Sequence, residues 1–273
     1  MVTLADLHAI SGVRSNSATT KAILAAFNKY AAAYGVTTRQ RIALCLAHIS
    51  VETGGFRRMD ENLNYSASRL RQVWPSRFKT DAVARKYAGN PQALANYVYG
   101  SRLGNKGRPN AGWLYRGSGP GQVTGYDNFL KVENETGIPF TKQPDLMRDP
   151  DMGMKGTLIL WQKWGMNELA DKSRVTASRE KWNGGRHGLA EVKAAWSRGL
   201  KRGLSVSSSK SVEYETYPEV EASEATGPEP APTGKSDGKT SIVALIAAAV
   251  VAAGAAIASF ACSIPIISNF CGG

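Results

Sequence analysis

Apolar side chains recur at helical spacing along most of the first 200 residues. Between positions 20 and 34, Ile23, Leu24, Phe27, Tyr30, Ala31 and Tyr34 share one stripe, and the pattern stops at Gly35. Between 38 and 53, Ile42, Cys45, Leu46 and Ile49 share a second, which stops at Gly54-Gly55. Asn90-Pro91 and Asp149-Pro150 each join a capping side chain to a proline suited to a first helical turn, and predict two further helices. Residues 189–201 predict a last one. No run alternates strictly for long, so the expectation is a mainly α domain with little sheet, and no internal repeat is visible. Between the helices, residues 100–125 hold eight glycines and little helical pattern. So long a glycine-rich loop in a compact domain is more often a site than a spacer.

Past residue 203 the pattern changes. Residues 204–240 are rich in Ser, Glu, Pro and Gly and predict an extended linker. Residues 241–264 hold no charge, and 24 residues at about 1.5 Å each span about 36 Å, enough for a bilayer core. Such a helix could instead be buried in a globular domain, but behind a polar linker it has no domain left to bury it. The expected organisation is therefore a globular unit over 1–203, a linker over 204–240 and a C-terminal transmembrane helix over 241–268. The alanine content of that segment makes insertion less favourable than a leucine-rich span would be.

The charge follows the same division. Of the formal +12 carried by 273 residues, positions 1–210 hold +17, from 32 Lys and Arg against 15 Asp and Glu, and positions 211–273 hold −5. A basic domain favours an anionic partner such as a membrane surface or a bacterial wall, or else it is simply a solvated basic face. No nucleic-acid-binding fingerprint is present, so no nucleic-acid partner is expected. Three cysteines (Cys45, Cys262, Cys271) exclude a dense disulfide framework and a four-cysteine zinc site, and three scattered histidines argue against a histidine-built metal centre. Cys45, on an apolar helix face, reads as a core thiol. The opening Met1-Val-Thr-Leu-Ala-Asp has no basic or apolar leader, so no secretory signal peptide is expected.

Glu52 lies three residues after Ile49 and ten after Ile42, so it continues the apolar stripe in the last helical turn. Desolvation and the negative end of the helix dipole would both raise its pKa, as a general acid working near neutral pH requires. The alternative is a side chain that swings into solvent at a frayed end. Asp60-Glu61 follows across Gly54-Gly55, and a loop there can bring this pair opposite Glu52. Two carboxyls flanking a cleft suit glycoside hydrolysis, one protonating the leaving oxygen while the other activates water or attacks the sugar. Spacing alone does not choose between those roles.

These residues stand in a longer arrangement that resembles a known family. Val51-Glu-Thr-Gly-Gly-Phe56, followed by Glu61-Asn-Leu-Asn-Tyr-Ser-Ala67, is similar to the catalytic region of glycoside hydrolase family 19. The likeness is closest to its bacteriophage endolysin branch, related to plant chitinases. Tyr99-Gly-Ser-Arg-Leu-Gly-Asn105 is similar to a segment of the phage enzymes. Tyr115-Arg-Gly-Ser-Gly-Pro-Gly-Gln-Val-Thr-Gly125, with Asn128 beyond, resembles the family's Gly-Arg-Gly-Pro-Ile-Gln-Leu-Thr/Ser stretch. Asn183-Gly-Gly185, then Gly188-Leu189, resembles its late Ile-Asn-Gly-Gly segment. The likeness covers roughly residues 38–200, in one order. It breaks at Val51, where plant enzymes commonly carry His, at Ser118 for Arg, at Gly121 for Ile, and at Lys181-Trp182, where Ile is frequent.

The resemblance implies a lysozyme-like, two-lobed helical domain with a catalytic cleft. Glu52 would be the general acid and Glu61 the general base, activating water for a single displacement with inversion, with Asp60 as the alternative base. Inversion needs the carboxyls about 6.5–9.5 Å apart. Thr124 would help hold that water, and Gln122, Asn128 and Asn183 would line sugar subsites, where amides offer both donors and acceptors. No metal and no cofactor are implied. The family divides between chitin and peptidoglycan; the phage-like motifs, the basic domain and the missing leader favour peptidoglycan glycan strands. The expectation is a phage endolysin that lyses its host. It would be tail-anchored in the host cell membrane, with the catalytic domain cytoplasmic before release to the periplasm and access through a holin-type lesion or through the tail's own disturbance of the membrane. The rivals are a chitinase of the same fold, a lytic transglycosylase, which usually has Ser where Thr53 follows Glu52, and a non-catalytic membrane-anchored wall-binding protein.

Overall fold

The computed structural model describes residues 1–207. Twelve α-helices form among them: α1 (Leu4–Ser11), α2 (Ala18–Tyr30), α3 (Arg39–Glu52), α4 (Ala67–Val73), α5 (Asp81–Arg85), α6 (Pro91–Tyr99), α7 (Ala111–Leu114), α8 (Tyr126–Thr136), α9 (Pro150–Lys163), α10 (Met166–Asp171), α11 (Val175–Asn183) and α12 (Leu189–Leu200). Two 3-10 turns, Ala31–Tyr34 and Pro144–Arg148, complete them. No strand is named among the described residues, and extended pairing is confined to isolated bridges joining Asp60 to Ser118 and Ser118 to Val123. This is the mainly α architecture that the apolar pattern predicts.

Local signals set the helix ends. The second helix tightens into the 3-10 turn and stops where Gly35 adopts φ +74°. Asn90 accepts the Ala93 amide with Pro91 in the first turn of α6, and Asp149 accepts the Asp151 and Met152 amides at the start of α9. Helices as short as α5 and α7 complete too little of a helical period for the pattern to show.

The helices enclose two cores. In the larger, α3 is central: every residue from Ile42 to Ser50 is buried, not only the predicted stripe. A helix surrounded by α1, α10 and α12 has no face left for water. The α12 backbone approaches so closely that a Cβ on Gly199 would lie 3.0 Å from that of Ala43. Ala43→Leu is therefore expected to wedge the two helices apart and cost about 1–3 kcal/mol in denaturant unfolding, with helix content retained. The smaller core gathers Leu63, Leu70, Phe78, Leu94, Val98 and Tyr99 from α4, α6 and their connections. The molecule is two-lobed in this sense.

Packing runs past the expected boundary at 203. Leu204 is buried and Val206 packs on the larger core, while the Met1 amino group donates to Ser205 Oγ at 3.0 Å. These are apolar positions at the head of an otherwise polar stretch. The rest of the expected linker, the expected span over 241–268, Cys262 and Cys271 lie outside the described residues. No helix among the described residues is long and apolar enough to cross a membrane.

Candidate active site

A cavity of about 460 Å³ opens between the two cores. Val51, Glu52, Thr124 and Arg179 line it from elements of the larger core, Tyr65, Val73 and Trp74 from the smaller, and Glu61, Gly117 and Gln122 complete the wall. The glycine-rich loop supplies much of it. Ser118 and Val123 exchange backbone hydrogen bonds of 3.0 and 2.9 Å, folding the loop back on itself. The doubled loop docks on residues 59–61: the Glu61 amide donates to Gly117 O at 2.8 Å and the Gly119 amide to Met59 O at 2.7 Å. Glycine at 117 lets this contact close up, because a Cβ there would lie 2.9 Å from Gln122 Oε1 and 3.2 Å from Glu61 Cβ and would push both side chains aside.

Glu52 is the last residue of α3 and is only 7% exposed. Its Oε1 accepts from Arg179 Nη1 at 2.5 Å, and neither side chain is exposed at all. Arg179 Nε donates in turn to His187 O at 2.6 Å. Glu52 Oε2 is buried with no hydrogen-bond partner. Burial raises the Glu52 pKa by more than the Arg179 charge and hydrogen bond lower it, so the carboxyl titrates above its ordinary range. His48, one turn back, is held neutral by burial and by the same arginine; its Nε2 lies 3.0 Å from Ser178 Oγ.

Glu61 is half-buried and differently supported. Tyr99 donates its hydroxyl to Oε1 at 2.6 Å, and the Gly117 amide makes a longer contact with Oε2 at 3.4 Å. Burial raises its pKa too, while these donors and the nearby Arg116 charge oppose the rise. The Tyr99 hydroxyl is pushed well above its ordinary value by burial and by Glu61, so it remains a donor. The neighbouring Asp60 also lines the cavity, but its carboxylate takes Arg148 Nε at 2.7 Å and Arg116 Nη2 at 3.2 Å. It pins the loop to the turn before α9 and is already matched by two guanidiniums.

Gln122 and Thr124 both line the cavity, and Thr124 Oγ1 donates to Gln122 O at 3.0 Å. Asn128 and Asn183, expected on the sugar-binding wall, are not on it. Asn128, in the first turn of α8, donates to Thr124 O at 2.7 Å and so fixes the loop from behind. Asn183 closes α11 and is fully buried, one turn beyond Arg179. Arg179, Tyr65 and Trp74 on the lining, and Tyr99 behind Glu61, have no role in the sequence reading. Arg179 carries the one clear signal, since it lies four residues before Asn183 and so shares its helix face. Tyr99 and Tyr65 fall inside the quoted motifs without a role, and Trp74 lies outside them.

Two breaks in the motif explain each other. A Cβ at Gly121 would lie 3.2 Å from Trp182 Cζ2 and 2.9 Å from Thr157 Oγ1, so the buried indole occupies the room that a side chain at 121 would need.

No protein-family profile matches the chain. A Haemophilus influenzae protein described as glycosyl hydrolase family 19 domain-containing is 34% identical over 158 residues, 58% of this chain and 77% of that protein. Among solved structures, a bacterial family 19 chitinase aligns with TM-score 0.46 and 18% identity over 73% of this chain and 93% of that one. A class IV family 19 chitinase from Zea mays aligns at 0.43 and 18%, over 77% and 96% of the two chains. Chitinase C from Streptomyces griseus aligns at 0.45 and 18%, over 77% and 80%.

Proposed function

Because the chain belongs to glycoside hydrolase family 19, we propose that this cavity is its catalytic cleft and that it cuts the β-1,4 bonds of bacterial peptidoglycan as a lytic endolysin. The observation that carries the reading is the pair of carboxyls, Glu52 and Glu61, lining one cavity with different partners. Glu52, in its protonated form, gives its proton to the glycosidic oxygen as the bond to the anomeric carbon breaks. Glu61, an acceptor toward Tyr99, takes a proton from the water that attacks the opposite face of that carbon. The charge left on Glu52 then faces Arg179, which stabilises it where water is excluded. Thr124 and Gln122 present polar groups beside this water, and Tyr65 and Trp74, with ring centroids 5.3 Å apart, offer apolar faces for sugar rings. The basic character of residues 1–210 supports an anionic polymer as substrate, with an attraction that weakens as salt rises.

The test is digestion of purified sacculi, and of chitin oligomers in parallel, with the product anomer read by NMR before mutarotation. New reducing ends of α configuration are expected from sacculi. Anhydro-sugar ends or β-anomers would overturn the inverting mechanism, and no cleavage of either polymer would overturn the hydrolytic reading.

Tyr99→Phe bears on the base. It removes a donor that favours the Glu61 carboxylate, so the Glu61 pKa rises further. A base must be unprotonated, so the acid limb of kcat/KM is expected to move to higher pH, with the alkaline limb in place. An unmoved acid limb would exclude Glu61 as the group titrating there.

A further inference from the structure

We infer that Arg58 and Arg69 form a carboxylate-recognition site on the rim of the cleft, which holds an acid group carried by the substrate glycan and so favours carboxylated over neutral amino-sugar polymers. This rests on the hydrolase reading above and adds the chemical basis of its selectivity.

The inference comes from matching charges around the cavity. Its three carboxyls already have donors within the protein: Glu52 has Arg179, Asp60 has Arg116 and Arg148, and Glu61 has Tyr99 and the Gly117 amide. Two guanidiniums lining the same cavity, Arg58 and Arg69, are exposed and form no ion pair with any described residue. They come from the two sides of the cleft. Arg58 folds back over the end of α3, where a Cβ on Gly54 would lie 2.6 Å from its Nη2; the glycine leaves the guanidinium its place two residues beyond Glu52. Arg69 rises from α4, and Gln72 Oε1, 3.1 Å from Nη1, is the acceptor it meets. Both guanidiniums line the cavity together with Tyr65, so a carboxylate entering there has the two within one site. A neutral polymer offers these groups nothing that water does not, whereas a carboxylate can accept paired guanidinium hydrogen bonds. On a wall glycan that carboxylate belongs either to the lactyl ether of the sugar or to an attached peptide.

The experiment measures kcat/KM of the full chain on glycan strands stripped of peptide, on strands that keep it, and on the methyl-esterified form of each. The wild type is expected to favour a carboxylated strand over its ester by about tenfold, mostly through KM and less so in high salt. A preference on stripped strands assigns the site to the lactyl group; one confined to peptide-bearing strands assigns it to the peptide. In Arg58→Gln/Arg69→Gln the ratio is expected to fall to about one, whereas Arg58→Lys/Arg69→Lys keeps part of it. Equal wild-type rates on acid and ester overturn the inference, as does a glutamine variant that loses rate equally on both. A wild type that cuts none of the strands is a different failure, that of the peptidoglycan reading itself.

Discussion

Glu52→Gln is expected to lower kcat on glycan strands by about 10²–10⁴-fold, the usual contribution of a positioned general acid, while KM stays within a few-fold. The substitution keeps the shape of the side chain and removes the one proton the reaction needs. The fold should survive it, because Arg179 Nη1 can still donate to the amide oxygen. The amide nitrogen would replace Oε2, which has no partner now, so no existing hydrogen bond is lost. Reducing-end release checks the rate, and far-ultraviolet circular dichroism with a thermal scan checks the fold. A folded variant within threefold of wild type would show that some other group protonates the leaving oxygen. The cavity offers no ready substitute: Asp60 is held by two arginines, and Glu61 is oriented by donors that favour its charged form.

The helices α2, α3, α9 and α12 were legible in the sequence because each completes about three periods or opens on a clear cap. The first of them runs through its 3-10 turn to a stop at Gly35, φ +74°; α8, of eleven residues, was not legible. The candidacy of Glu52 was legible too, but its burial was not. A periodic stripe says which way a side chain points; it does not say whether another element covers the helix end. What covers Glu52 is Arg179, 127 residues further along. What distinguishes the surroundings of Asp60 from those of Glu61 has the same origin, since the arginines that hold Asp60 lie 56 and 88 residues away. The amides at 128 and 183 stand in the quoted motifs but are not on the cavity lining, which the order of residues alone does not reveal. At Asn128 the side chain turns toward a backbone carbonyl and holds the wall up from behind.

Arg179→Met is expected to cost about 3–5 kcal/mol of folding stability at neutral pH, and less in acid. Methionine fills much of the volume, so what is lost is chiefly the partner of a buried carboxylate. Glu52 already titrates above its ordinary range in the folded protein, and without the guanidinium it would rise further. A carboxyl whose folded pKa lies above its unfolded one binds its proton more tightly when folded. Stability is then lost as pH rises from the ordinary carboxylate range through the raised folded value, and regained as pH falls. The deficit of the variant against wild type should therefore be largest near pH 7 and shrink toward about pH 4, where Glu52 is protonated and needs no counter-charge. A residue of the deficit should persist at every pH, because His187 O loses the Nε donor as well. Guanidinium unfolding of both proteins across that range measures this directly. Adding Glu52→Gln to Arg179→Met should remove the pH-dependent part and leave the constant part, since no buried charge then remains to be matched. A deficit that stays flat from pH 4 to 7 would mean that Arg179 supports the fold through packing and the His187 carbonyl alone. The stabilisation of the charge left on Glu52 after proton transfer would then need another source.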